Sequence, residues 1–429
     1  MSLAGKTQLK FTGSSSSSSS SSSRRIMKLA VFYLSIFMVF CAFGCAQPPA
    51  GLAENEIQTA QNIAGGGGQG GANNTSETRF RVETVASGLE VPWAFAFLPG
   101  GGGGAGGGVN MLFTERPGRV RLIESGKLRA EPVFVVPDVE PSSESGLMDV
   151  SLHPNFAANN YVYLAYAYRG DGKRVRVVRY KFADNKFGEP KTIIENIPAA
   201  PNHAGTRADF GPDGKLYVTT GDASETELGQ DLTTLAGKTL RLNDDGSVPA
   251  DNPFINQKGT RPEIWSYGHR NAQGLAWQPG SNLMFQTEHG PSGFDGPGGG
   301  DEVNLVERGK NYGWAAIHHR ETRAGMESPL LEYTPACAPA SGTFYNGGAF
   351  PQFKGNFFFG CLRGARIIRV SLDGRRVAGQ EDLLKGVYGR IREVAEAPDG
   401  LIYFSTSNRD GRGAAAKDDD RILRIAPAK

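Results

Sequence analysis

The chain has 429 residues, of which 39% are hydrophobic and 21% charged, as in soluble globular proteins that bury a large core. It carries 46 Lys and Arg against 44 Asp and Glu, so no overall charge excess favours nucleic acid or an anionic membrane as a partner. Function must therefore depend on local sites. The 58 Gly and 25 Pro residues, set between short apolar runs, favour a turn-rich β protein over a helical one.

The first 45 residues are predicted to direct export rather than to fold. Residues 14–23 are an uninterrupted serine run, which cannot bury enough apolar surface to order itself. Met27 and Lys28 open a second candidate start, and the apolar residues 29–43 behind them fit a signal peptide better than a membrane span. The run ends at Cys45 in a sequence that resembles a bacterial lipobox, and ordinary signal-peptidase cleavage nearby is the alternative. We therefore expect an exported protein, either free in the periplasm or tethered to the membrane as a lipoprotein.

Residues 46–79 are rich in Gly, Ser and Asn and are predicted to form a flexible tether. Residues 80–429 then form the folded domain. Two of the four cysteines, Cys337 and Cys361, fall within it. A disulfide between them would suit an oxidising compartment, but the sequence does not establish the geometry that a disulfide requires.

A repeated pattern runs through residues 80–429: a turn with Pro or Gly, a run that alternates apolar and polar residues, and a second run after another turn. Six copies occur, with a spacing of roughly 50 to 65 residues, which leaves room for long loops. They cover residues 93–115, 150–164, 210–218, 275–285, 350–359 and 397–425. Short strands without helical periodicity favour an all-β six-bladed β-propeller with long loops on one face. A β-sandwich or two small β domains would explain the strands but not the sixfold repeat.

Three segments place polar residues at turns beside apolar strands, where a propeller builds its site. The first contains His203 and Arg207 and is followed by Asp222. The second and third cover residues 265–275 and 288–314. These segments are the candidate functional site.

The second and third segments resemble the glucose/sorbosone dehydrogenase family, and in particular the soluble aldose sugar dehydrogenases that depend on pyrroloquinoline quinone (PQQ). The string HRNAQGLAW at residues 269–277 is close to the family signature. Asp301-Glu302, followed by Tyr312-Gly313-Trp314, keeps both the residues and the spacing of the family. The resemblance covers nearly all of residues 80–427 and implies an enzyme on the propeller fold.

The resemblance implies that His203 is the general base and that Asp222 orients it. An imidazole with an ordinary pKa near 6.5 suits proton removal from a sugar hydroxyl at neutral pH. In the implied reaction, hydride leaves the same carbon for the quinone. A lone histidine is more often structural, but its Asn-His-x-Gly-x-Arg setting favours the catalytic interpretation.

The resemblance also implies an anion-binding pocket, because PQQ carries three carboxylates. The residues that match cofactor-binding positions are Arg270, Asn271, Arg363, Arg390 and Arg392. Arginine suits this task because its planar fork pairs with carboxylates and stays charged. Glu144 is a departure, since close relatives place a Gln at this cofactor- or substrate-contacting position. It adds a negative charge that would face an anionic quinone.

Calcium is the second implied cofactor. Gly290 and Pro291 match backbone-carbonyl ligands of a catalytic Ca²⁺, which would polarise the quinone carbonyl. Glu302 and Tyr312 match a separate structural Ca²⁺ site. Residues 292–300 are longer than the shortest family pattern, which leaves the choice of carbonyl ligands open.

These features predict oxidation of an aldose sugar, or a similar alcohol, to its lactone, with electrons passed to an external acceptor. The protein would act as a monomer or homodimer. A non-enzymic binding module is one alternative, because related domains in animal signalling proteins keep the fold without a quinone. A Ca²⁺-dependent lactonase is another, and it would need a carboxylate-rich central metal site rather than a cluster of arginines.

Overall fold

The computed structural model describes residues 57–59, 61–62, 78–100 and 108–428. The chain divides into two compact units, Met1–Gly51 and Leu52–Lys429, and every described residue belongs to the second. The serine run, the apolar run and Cys45 lie outside the described residues. Within the described part, no helix is long and apolar enough to cross a membrane.

The described chain forms six antiparallel sheets, which are the six blades of a propeller. The predicted fold is therefore confirmed. Blade 1 contains the strands Pro92–Phe97, Met111–Glu115, Arg119–Glu124 and Lys127–Leu128, and Phe134–Val135 also pairs with its third strand. Blade 2 contains Leu147–Leu152, Tyr161–Gly170, Gly172–Ala183 and Lys186–Pro198. Blade 3 contains Gly205–Phe210, Leu216–Thr220, Lys238–Leu242 and Ile264–Tyr267. Blade 4 contains Ala272–Trp277, Met284–Glu288, Asp301–Val306 and Leu331–Tyr333. Blade 5 contains Pro339–Phe344, Phe357–Cys361, Arg366–Asp373 and Arg376–Leu383. Blade 6 contains Ile391–Glu396, Ile402–Thr406, Ile422–Pro427 and Arg79–Ala86. The described helical elements are short: the helix Phe156–Asn159 and the 3₁₀ turns Thr226–Gly229 and Pro351–Phe353.

The first strand of each blade is its inner strand. Each inner strand lies beside the inner strand of the next blade, and that of blade 6 lies beside that of blade 1, so the six strands form a closed ring. Second strands such as Leu216–Thr220, Phe357–Cys361 and Ile402–Thr406 are rich in β-branched and aromatic residues and are buried along their whole length, as expected where each blade packs between two others. One apolar cluster joins blades 1 to 3 through Leu112, Leu164 and Val218, all fully buried. Each such aliphatic side chain stabilises the packing by about 1.5–3 kcal/mol.

The ring is closed by the strand Arg79–Ala86, which is the fourth strand of blade 6 counted from the inner strand. It pairs with Ile422–Pro427, and Phe80 lies opposite Pro427 in the register. Neither strand alone could complete the blade, so the two ends of the domain are joined by backbone hydrogen bonds. The sixfold sequence pattern, whose first copy begins at residue 93, does not include this strand.

Two short strands lie inside the segment that was predicted to be a tether. Ile57–Thr59 pairs with Arg79–Ala86, and Gln61–Asn62 pairs with Arg376–Leu383. The outer edge of a blade presents unpaired backbone groups, so a passing extended segment can add to it.

Cys337 and Cys361 are both buried, unbridged thiols. They are close together in blade 5, since a Cβ on Gly364 would lie 3.1 Å from the Cβ of each. A hydrogen bond with Cys361, together with burial, raises the pKa of the Cys337 thiol.

Candidate active site

The site lies at the end of the blades where the inner strands begin. His203 and Asn271 immediately precede the inner strands of blades 3 and 4, and Arg390 precedes that of blade 6. Long loops that join second and third strands arrive at the same end, including residues 221–237 and 289–300. The predicted residues are therefore brought together from different blades by the closure of the ring.

A histidine–aspartate pair forms the centre of the site. His203 Nδ1 lies 2.8 Å from Asp222 Oδ1, and the Trp314 indole Nε1–H donates to the other carboxylate oxygen of Asp222 at 2.8 Å. Asp222 is fully buried and the His203 side chain is 5% exposed. A carboxylate that accepts Nδ1–H fixes the tautomer and leaves Nε2 with a free lone pair. The geometry suits a general base.

The local backbone explains why Gly221 precedes Asp222. A Cβ on Gly221 would lie 1.8 Å from the carbonyl oxygen of His203, so only glycine allows the two loops to approach this closely. Gly221 also forms a β-bridge with Asn271. The loops that carry His203, Gly221 and Asn271 are thus held together directly behind the His203 side chain.

Glu144 is paired with a cation that the sequence analysis missed. Its Oε1 accepts from Arg412 Nη1 at 3.0 Å, and its Oε2 accepts from Asn271 Nδ2 at 3.1 Å and from the His203 backbone N–H at 3.3 Å. Burial alone would raise the pKa of Glu144, but His289, Arg412 and His203 together lower it below its ordinary value. The extra charge is therefore compensated within the protein.

The four predicted arginines have different environments. Arg363 and Arg390 line a cavity of about 450 Å³ in front of His203, and Arg390 Nε donates to Asp410 at 2.8 Å. Arg392 is buried, with its guanidinium 3.6 Å from the centre of the Trp93 ring, and burial lowers its pKa. Arg270 is held by a buried carboxylate, Asp295, at 2.6 Å. The cavity wall therefore contains two of the four arginines, and the other two are engaged by protein groups.

The lining of the cavity suits an anionic ligand. Arg363, Arg390 and Arg412 supply positive charge on its lining. His289 also lines it, and its Nε2 is buried without a hydrogen-bond partner among the described residues. An unpaired buried ring nitrogen is costly unless a ligand completes it. A larger cavity, of about 660 Å³, lies at the opposite end of the inner strands and contains none of the predicted site residues.

The predicted ligands of the catalytic Ca²⁺ lie in the cavity wall. Gly290 donates its N–H to Asp301 Oδ1 at 2.8 Å, and a Cβ at this position would lie 2.2 Å from the Gly300 carbonyl oxygen. The Pro291 carbonyl accepts from the Gly299 N–H at 3.2 Å. Both residues line the cavity, and a backbone carbonyl oxygen is the kind of donor that Ca²⁺ prefers.

The predicted structural Ca²⁺ residues, Glu302 and Tyr312, do not meet through their side-chain oxygens. The Tyr312 hydroxyl donates to the Leu305 carbonyl at 2.6 Å, and the Tyr312 ring stacks on His269. Burial, together with the nearby Glu288 charge, raises the pKa of Glu302 well above its ordinary value.

Glu302 and its surroundings nevertheless suit a cation. The Oδ1 atom of Asn304, whose amide donates to Glu302 at 2.8 Å, is buried and unpartnered in the described structure. A buried carboxylate beside an orphaned amide oxygen offers the oxygen donors that a hard cation binds. Among the described residues, no three His, Cys, Asp or Glu side chains form a metal-binding group by themselves.

The sequence profile of the glucose/sorbosone dehydrogenase family matches residues 89–423. The chain belongs to this family. It is 37% identical to the aldose sugar dehydrogenase of Escherichia coli, over 81% of this chain and 92% of that one. It is 34% identical to the PQQ-bound aldose sugar dehydrogenase of Streptomyces coelicolor, covering 81% and 98% of the two chains, with a TM-score of 0.70. It is 31% identical to quinoprotein glucose dehydrogenase B of Acinetobacter calcoaceticus, over 56% of this chain and 53% of that protein.

As a member of the glucose/sorbosone dehydrogenase family, the chain is an oxidoreductase. The family motifs led to His203 and Asp222 but not to Arg412, His289 or Asp295. Arg412 lies in a long loop that carries no motif, and Asp295 lies in the part of the third segment, residues 292–300, that is longer than the shortest family pattern, so no family position matched either residue. His289 stood inside a recognised segment, and its missing partner becomes evident only once its burial is known.

Proposed function

We propose that the protein oxidises an aldose sugar, or a similar alcohol, to its lactone, with PQQ and Ca²⁺ as cofactors and an external electron acceptor. One observation carries this proposal: a buried His203–Asp222–Trp314 chain faces a cavity whose wall carries guanidinium groups. The PQQ in the Streptomyces coelicolor relative supports the choice of cofactor.

His203 acts as the general base. Its Nε2 takes the proton of the hydroxyl on the carbon to be oxidised, while Asp222 accepts the Nδ1–H and stabilises the imidazolium that forms. Trp314 holds Asp222 in place through the indole N–H, so the imidazole ring stays in one orientation. When bound, the quinone supplies a hydride acceptor and Ca²⁺ supplies a Lewis acid.

The remaining polar groups of the site would hold the cofactors and keep the His203 loop in position. Arg363 and Arg390 would pair with cofactor carboxylates, since they are the predicted arginines in the cavity wall. Gly290 and Pro291 would offer carbonyl oxygens to Ca²⁺. Asn271 ties Glu144 to the loop that bears His203, because its amide donates to Glu144 and its carbonyl oxygen accepts from the Gly205 N–H.

Reconstitution tests the proposal. The apoprotein is mixed with PQQ, with and without Ca²⁺, and is given aldoses and an artificial electron-acceptor dye. We expect dye reduction only when quinone, metal and sugar are all present, and its loss on chelation. Lactone hydrolysis without quinone would instead indicate the lactonase, and failure to bind quinone would leave the binding module as the better interpretation.

We also propose export, on the basis of Lys28, the apolar run and Cys45. Mass spectrometry of the mature N-terminus in a bacterial host tests it. A diacylglyceryl-modified Cys45 supports a tethered lipoprotein, and an unmodified terminus near Ala46 supports a free periplasmic protein. A protein that keeps Met1 would contradict both.

A further inference from the structure

Two buried thiols lie next to each other in blade 5. Cys337 lies just before the inner strand Pro339–Phe344, and Cys361 ends the neighbouring strand Phe357–Cys361. A Cβ on Gly364 would lie 3.1 Å from the Cβ of each cysteine, so the two Cβ atoms are separated by no more than twice that distance. A disulfide joins Cβ atoms about 3.5–4.5 Å apart, which lies within this limit. A hydrogen bond already joins the two thiols.

The backbone holds the two cysteines against each other. The Leu362 N–H donates to the Ala338 carbonyl at 2.9 Å, and the Gly364 N–H donates to the Cys337 carbonyl at 2.8 Å. Both cysteine side chains belong to one apolar cluster with Phe359, so the sulfur atoms are shielded from water. A disulfide formed here would resist reduction, because an attacking thiolate must reach one of its sulfur atoms.

The chain segments that carry the thiols form part of the wall of the cavity in front of His203. Two neighbours of each cysteine line that cavity: Ala336, Ala338, Leu362 and Arg363. The Ala338 N–H also donates to Asp301 Oδ2 at 2.6 Å, and the other Asp301 oxygen accepts from the Gly290 N–H at 2.8 Å. The segment with Cys337 is thus tied to the turn that carries the candidate Ca²⁺ ligands. The wall of the site therefore depends on how these segments are held together.

We propose that Cys337 and Cys361 form a structural disulfide that cross-links the two segments of the cavity wall. Two S–H bonds break and one Sγ–Sγ bond forms, with the loss of two protons and two electrons. The disulfide of a thiol oxidant, the class of oxidant that acts in oxidising compartments, takes up both and becomes two thiols. The cross-link needs neither quinone nor sugar, so it stands or falls independently of the proposed activity.

Peptide mapping tests the cross-link. Trypsin cleaves after Lys354, so the two cysteines fall in separate peptides, residues 324–354 and 355–363. The full chain is reduced and unfolded, refolded in a glutathione redox buffer, treated to block free thiols and digested without reductant. We expect a cross-linked species that is lighter than the two peptides together by two hydrogen atoms and that separates into both peptides on reduction.

A second preparation, directed to the bacterial periplasm and purified without reductant, is mapped in the same way. It covers the case in which the chain does not refold in the buffer, while the refolded preparation does not depend on export. The cross-linked species in either preparation supports the inference. Blocked thiols on both peptides in both preparations would overturn it.

Amide hydrogen exchange measures what the cross-link does to the cavity wall. In the oxidised protein, residues 336–338 and 361–364 should exchange about tenfold more slowly than in the reduced protein, because the cross-link opposes local opening. Reduction should also lower Tm by about 5 °C. Cys361→Ser is the matched control: it cannot form the bond, so a reductant should change neither its exchange nor its Tm. Equal exchange in the oxidised and reduced wild type would show that the bond does not fix the wall.

Discussion

At the scale of the residue, the site works by fixing charges whose partners come from distant parts of the chain. Glu144 and Arg412 are 268 residues apart and form an ion pair at 3.0 Å in the cavity wall. The pair makes Glu144 compatible with an anionic cofactor. Without Arg412, the carboxylate would repel the quinone and disturb Asn271 and His203, which both donate to it.

His203→Ala should reduce turnover by about two to four orders of magnitude, the usual effect of losing a positioned general base. Binding of PQQ should remain largely intact, because the ring acts on the substrate proton. Steady-state kinetics and a PQQ titration measure the two effects separately. His153→Ala, just beyond the end of the inner strand of blade 2 that is opposite to the site, is the control. An equal loss of quinone affinity would point to a structural role for His203.

Arg412→Ala should weaken PQQ binding by about tenfold, or about 1.4 kcal/mol, because it leaves the Glu144 charge unpaired in the cavity wall. Glu144→Gln in the same chain should restore most of the affinity, since it removes the unpaired charge. A titration of the two single variants and the double variant measures the coupling between them. If Arg412→Ala has the same effect in the wild type as in the Glu144→Gln background, Arg412 acts on the cofactor independently.

At the scale of the element, the inner strands are tied together by a buried ionic bridge. Arg207 in blade 3 donates to Asp149 in blade 2 and to Glu393 in blade 6, each at 2.7 Å. Burial raises the pKa of Glu393 to about 7, although Arg207 lowers it, so the charged form depends on its partner. The bridge spans three blades at the edge of the larger cavity.

Arg207→Met should destabilise the protein by about 3–5 kcal/mol at pH 8, because it leaves two buried carboxylates without a partner. A folded-state pKa above the unfolded value means that stability is lost as pH rises through the folded pKa. The free energy of unfolding that Arg207→Met removes should therefore be smallest near pH 5 and should grow above pH 7. Urea unfolding at several pH values measures it, with the exposed Arg376→Met as the control. A deficit that does not depend on pH would contradict this explanation.

At the scale of the whole molecule, ring closure decides whether the site exists. The inner strands of blades 6 and 1 are neighbours, and the strand Arg79–Ala86, from the start of the described domain, pairs within blade 6. Phe80 on this strand is 1% exposed and packs in one core cluster with Leu423 and Ile425. The last blade would otherwise present an unpaired edge and an uncovered apolar face.

Two matched truncations test the closure. A chain that starts at residue 78 keeps Arg79–Ala86 and should unfold at nearly the temperature of the longer protein. A chain that starts at residue 88 lacks that strand and should lose several kcal/mol of stability, with Tm lower by roughly 10 °C or more. Calorimetry measures the difference. Equal Tm values for the two truncations would mean that blade 6 does not need its outer strand.

The sequence by itself determined the sixfold strand pattern, the identity of the histidine–aspartate pair and the family motifs. These depend on local alternation and on short spacings, which a single stretch of chain can carry. Only the tertiary structure decided that Arg79–Ala86 closes the ring, that Arg412 pairs with Glu144 and that Asp295 occupies Arg270. Each of these contacts joins loops or strands whose separation in the chain bears no relation to their distance in space. The interaction between two charges depends on their distance in space, so these ion pairs follow from the folded arrangement of the blades and not from the order of residues in the chain.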